Sequence, residues 1–157
     1  MIETVQSNLH RQRGALGTLR QLLEEEFSYL KAGEPGRVTG VEMSIQELMR
    51  QIAAERVELK MTLQKQGMER LLGWIDTLPA ESAQPLRDLT RDIDLAEQEC
   101  ARQADRNNKL ALALYDQSKE LIEFLHDQVK PKRQDVYARN GRYAGGKSGP
   151  SLLRGRY

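Results

Sequence analysis

Apolar residues at Ile2, Leu9, Leu16, Leu23 and Leu30 recur every seven positions, with Val5 and Leu19 between them and Leu22 and Phe27 widening the stripe. This spacing brings the same face of an α-helix round every two turns, and it predicts a first helix over about residues 3 to 32. Gly33, Pro35, Gly36 and Gly40 follow, a density of breakers that predicts a turn. "SIQE" at Ser44 to Glu47 then fits a capping box, in which the serine hydroxyl and the glutamate carboxylate satisfy two orphan amide donors. A second helix is predicted to begin there. Its stripe of Ile45, Leu48, Met49, Ile52, Leu59 and Leu63 resumes out of phase at Met68, Leu71, Leu72, Ile75 and Leu78, with Gly67 at the seam. The pattern predicts a helix over about 44 to 78 with a break near Gly67.

The third pattern is the cleanest. One set of positions is Leu86, Ile93, Cys100, Asn107, Leu114 and Leu121; the interleaved set is Leu89, Ala96, Gln103, Leu110, Gln117 and Phe124. With Ser82 and Pro85 as a start signal and Lys130 and Pro131 as a stop, this predicts a helix over about 83 to 129, on the order of 70 Å long. The expected fold class is all-α. The expected architecture is an elongated antiparallel three-helix bundle with coiled-coil character over 1–129, followed by a flexible basic tail rich in Gly and Arg over 130–157. Helix three outlasts its partners, so its far end is expected to carry an uncovered apolar stripe of Leu110, Leu114, Leu121, Phe124 and Leu125, widened by Ile122 and Val129. The amides Asn107, Gln103 and Gln117 fall at inner positions, where they are expected to fix register.

Composition sharpens the picture in two places. Aromatic residues are only 5% of the 157 residues, so the core must be aliphatic, and β-formers are sparse. The net charge is +1, yet residues 130 to 157 hold eight Lys or Arg against Asp135 alone, +7, and leave the body at −6. Ordering ten tail residues costs ~10–20 kcal/mol of backbone entropy. The tail's few apolar side chains offer little against that, so it is expected to order only on a partner. The longest apolar run, "LALALY" at 110 to 115, is far short of the roughly 20 residues that span a bilayer. One cysteine and no export-like N-terminus give an expectation of a cytoplasmic protein.

Candidate chemistry is thin. "GRYAGGKS" places Gly141, Gly146, Lys147 and Ser148 in the phosphate-loop pattern. That pattern works where a buried strand leads into a helix. Here the upstream flank is charged and the downstream flank opens on Gly149 and Pro150. The match is read as coincidence. His10 and His126 have no metal-ligand cluster at helical spacing, and Cys100 sits at a seam position with no base indicated. No enzyme activity and no cofactor or metal are expected.

The stretch "RQADRNNKLALALYDQSKELIEFLHDQVKPKRQDVYARNG" at 102 to 141, with the helical layout, resembles the FlgN family of flagellar export chaperones. The matching features are Asn107 and Asn108, then Leu110, Leu112 and Leu114, the Lys130 and Pro131 stop, and Tyr137 through Gly141 in the place of a Tyr-Gly-x-x-Gly signature. Ala138 stands where that signature has its first Gly. The resemblance implies binding of the C-terminal helices of hook-associated flagellar proteins, which are kept unassembled and delivered to the flagellar export gate and ATPase components. It also implies that Tyr137 serves docking at the gate, and Gly141 joins it among the expected partner-binding residues. A non-secretory coiled-coil adapter that oligomerises through helix three is the alternative, and the same stripe would support weak self-association. Nucleic acid is not expected as a partner, because the tail's arginines and lysines do not track one helix face.

Overall fold

A computed structural model of the protein describes residues 1–130, and the regular structure in them is entirely α-helical. The elements are α1 (Ile2–Ala32), α2 (Pro35–Gln64), α3 (Leu71–Ile75) and α4 (Ala80–Val129). Two compact units divide the chain, Met1–Tyr115 and Asp116–Tyr157.

Within Met1–Tyr115, α1 ends on Gly33, whose left-handed backbone (φ 68°) no β-branched residue would tolerate. Its N–H donates to the Leu30 carbonyl at 3.2 Å and that of Glu34 donates to the Tyr29 carbonyl at 3.1 Å, the pair of bonds that closes a Schellman motif. The chain needs no further turn. Pro35 takes the first helical position of α2, where its missing N–H costs nothing, and Val38 N–H already donates to the Glu34 carbonyl at 3.1 Å.

This corrects the start predicted at Ser44. Gly36 and Gly40 lie inside α2, and the Ser44 hydroxyl donates back to the Gly40 carbonyl at 3.4 Å instead of capping anything. Two exposed helical glycines cost about 1 kcal/mol each relative to alanine. Burying Val41 and Ile45 returns about 1.5–3 kcal/mol for each. Packing overrides propensity here.

Gly67 (φ 72°) repeats the Schellman device at the end of α2: Met68 N–H donates to the Leu63 carbonyl and Gly67 N–H to that of Gln64. Beyond it lies the one-turn α3, whose Trp74 and Ile75 are both buried. α4 begins at Ala80, so Pro85 sits inside the helix and not at its start.

Side-chain bonds define the directions. Asn8 and Arg11 of α1 meet Glu55 of α2, an antiparallel pairing about the Gly33 turn. Arg13 and Arg20 of α1 meet Asp92 and Glu99 of α4, so α1 and this part of α4 run parallel, while Arg56 of α2 pairs with Glu97. One apolar core joins Val5, Leu9, Leu16, Leu19 and Leu23 of α1 to Ile45, Ile52 and Leu63 of α2 and Leu86, Leu89, Ile93 and Cys100 of α4.

Candidate partner-binding site

The heptad of α1 has polar residues where a core would want leucine, at Gln12 and Glu26. Both are answered. Buried Gln12 donates to the Asn8 side-chain oxygen at 2.7 Å, and Asn8 donates to the backbone carbonyl and carboxylate of Glu55 at 2.9 and 2.8 Å. The Arg11 guanidinium grips the same carboxylate through two bonds of 2.8 Å, and this holds the Glu55 carboxyl below its usual range.

On the other side, Asn107 is 3% exposed and donates to the Leu23 carbonyl at 2.8 Å and to Glu26 at 2.6 Å, while accepting from Gln103 at 2.9 Å. A one-turn slip of α4 on α1 would strand Asn107 among leucines. These amides therefore set register. The sequence pattern pointed to Asn107 and Gln103; Asn8, outside both heptad sets, gave no such signal. Gln117, also expected inside, is exposed in the second unit.

Next to this polar layer, Leu19, Leu23, Ile45, Met49 and Ala104 line a shallow apolar groove of about 470 Å³, with Glu26, Glu42 and Asn107 among its polar walls. Partial burial pushes the Glu42 carboxyl up, and the neighbouring Glu26 carboxylate adds to the shift. Burial also pushes the Cys100 thiol up, and its Sγ lies 3.5 Å from the Leu16 carbonyl oxygen. A thiol so held stays protonated and is a poor nucleophile. Among the described residues no three His, Cys, Asp or Glu gather as a metal site, and no helix there is long and apolar enough to cross a membrane.

The residues expected to form the uncovered stripe divide into two groups. Leu110 and Leu114, in the first unit, are half-buried rather than open. The Asn107 to Leu23 bond sets a register that brings both level with the last two turns of α1. Leu112 and Tyr115, beside them, are 61% and 66% exposed; the "LALALY" run contained them, but its period-two alternation did not mark a helical face.

In the second unit Leu121, Ile122, Phe124, Leu125 and Val129 are between 52% and 81% exposed. At ~100° per residue they share one arc of about 160°. Asp116, Lys119, Glu120, Glu123 and Asp127 fall on the remainder, and Lys130 Nζ lies 3.1 Å from an Asp127 carboxylate oxygen. Five large apolar side chains on nine residues, all facing solvent, form a surface suited to receiving another apolar stripe. Tyr137 and Gly141, and the phosphate-loop match at Gly141, Gly146, Lys147 and Ser148, lie outside the described residues.

No curated protein and no solved structure matches the chain. A family model described as FlgN protein matches residues 1–145, nearly the whole of it. With that match over residues 1–145, the helical chain belongs to the FlgN family of flagellar export chaperones.

Proposed function

We propose that the chain binds the C-terminal helices of hook-associated flagellar proteins, prevents their premature assembly in the cytoplasm, and delivers them to the export apparatus. The observation that carries this reading is the arc of Leu121, Ile122, Phe124, Leu125 and Val129, each more than half exposed. Client helices that pair only after secretion have their own unpaired apolar stripe, and one stripe laid on another removes both from water. Leu110 and Leu114 are left out of the contact, because they are already half-covered. Tyr137 is assigned to docking at the export gate, a role that depends on the family resemblance, and Gly141 is kept among the partner-binding residues. The chaperone spends no nucleotide of its own, so release falls to the gate or an export ATPase.

The test is co-purification of the full chain with the C-terminal helices of hook-associated proteins. Leu121→Asp with Leu125→Asp is expected to abolish it while far-ultraviolet circular dichroism stays helical; undiminished binding would remove α4 from the account. Tyr137→Ala is expected to keep client binding and lose delivery, and a variant that lost both would merge the two roles. A stable, concentration-dependent oligomer with no affinity for these helices would instead favour the adapter reading.

A further inference from the structure

The borders of the exposed arc differ from each other in charge. Taking ~100° per residue, Glu120, Asp127 and Asp116 lie within about 40° of one another on one side of the arc, Glu123 faces directly away from it, and Lys119 and His126 lie on the other side. From Asp116 to Val129 there are four acids against Lys119 alone, a charge of −3 with histidine neutral. The carboxylates at 120, 123 and 127 belong to exposed residues, and among the described residues Asp127 pairs with Lys130.

We infer that the occupant of this face is an amphipathic helix whose apolar stripe has lysine or arginine along one border, laid so that this border meets Glu120, Asp127 and Asp116. The inference rests on the proposed client-binding reading and adds the client's charge pattern to it. The physical ground is that charges flanking an apolar seam choose the partner and its orientation, through attraction on the matching border and repulsion on the wrong one.

A second copy fits this face poorly. Turned end for end, each copy sets its acidic border against the same acidic border of the other. Laid parallel, it offers Lys119 to answer Glu120, Asp127 and Asp116, of which Asp127 already pairs with Lys130 of its own chain. A partner with a basic border satisfies the acids at once. Three such edge pairs, each worth a factor of about two to three when exposed, multiply to roughly tenfold in affinity.

The probes are two synthetic amphipathic helices of equal length and equal leucine stripe, one bordered by lysine and the other by glutamate. Their binding to the full chain is measured by fluorescence anisotropy at low and high salt. The lysine-bordered helix is expected to bind about tenfold tighter at low salt, with the gap closing at high salt as screening shortens the range of the charges. In Glu120→Lys with Asp127→Lys the preference is expected to vanish or reverse.

Equal affinities for the two probes, or a preference that the charge variant leaves untouched, would overturn the inference; the second result would trace the preference to charges elsewhere on the chain. Leu121→Asp with Leu125→Asp separates the two levels. If that pair leaves both probes bound, the client-binding face itself is wrong. If it releases both while the unaltered chain shows no preference, only the charge pattern falls. Sedimentation of the chain alone is expected to show no association through this face.

Discussion

Two stretches of α4 make the same offer to their surroundings and receive different answers. From Leu86 to Cys100 the inner positions Leu86, Leu89, Ile93 and Cys100 are each 6% exposed or less, packed on α1 and α2. From Leu121 to Val129 the side chains are as large and as apolar, and every one of the five is more than half exposed. Both are apolar stripes on one helix, so residue type alone does not account for the difference. What separates them is a complementary surface: leucines of α1 and isoleucines of α2 cover the first stretch, and the second stands open to solvent. The first stretch holds the fold, and the second is free to hold something else.

The sharpest way to break this comparison is a pair of truncations. Ile93→Ala removes a packed side chain and is expected to cost about 2–5 kcal/mol in urea unfolding, whereas Leu121→Ala is expected to stay within about 0.5 kcal/mol. Similar losses at both sites would mean that the second stretch is also core. Trp74 offers a check of the same size in the short α3: Trp74→Ala is expected to cost about 3–5 kcal/mol by leaving a cavity.

Asn107→Ala comes next, because it strands the Glu26 carboxylate and the Leu23 carbonyl. About 1–3 kcal/mol is expected, together with faster hydrogen exchange in α1 near Leu23. An unchanged midpoint would show that water replaces the amide at no cost.

The two glutamates with shifted carboxyls sharpen the picture at lower amplitude. Glu55, held down by Arg11, contributes stability that is present above the ordinary glutamate range and fades as pH falls through its lowered folded value. In Glu55→Gln the acid side of the stability profile is expected to flatten slightly, since the pair is partly exposed. Glu42 has the opposite sign. Its raised folded value means that stability is lost as pH rises through it, so Glu42→Gln is expected to be marginally more stable at neutral pH and indistinguishable at low pH. A reversed order in either profile would mean that the carboxyl has a different neighbour.

The periodicities of Ile2 to Leu30 and of Leu86 to Asn107 were sufficient to name two long helices and most of their buried residues, because a seven-residue repeat is a property of the chain alone. The capping box at Ser44 misled for a definite reason. A serine followed three residues on by glutamate fits a helix start as well as a helix interior, and Pro35, a breaker inside a helix, is equally suited to the first turn, where it opens α2. The candidate site was legible as five apolar residues on one arc, Leu121, Ile122, Phe124, Leu125 and Val129. Leu110 and Leu114 share that arc and are half-covered, a fact that depends on where α1 stops.

The chain by itself determined the helical class, the apolar faces and the acidic border of the last turns, since these follow from residue type and from the fixed rotation per residue. Only the tertiary structure decided which faces are covered. Cover is supplied by other segments, and it depends on the turns at Gly33 and Gly67 and on the register that Asn8, Gln12 and Asn107 enforce.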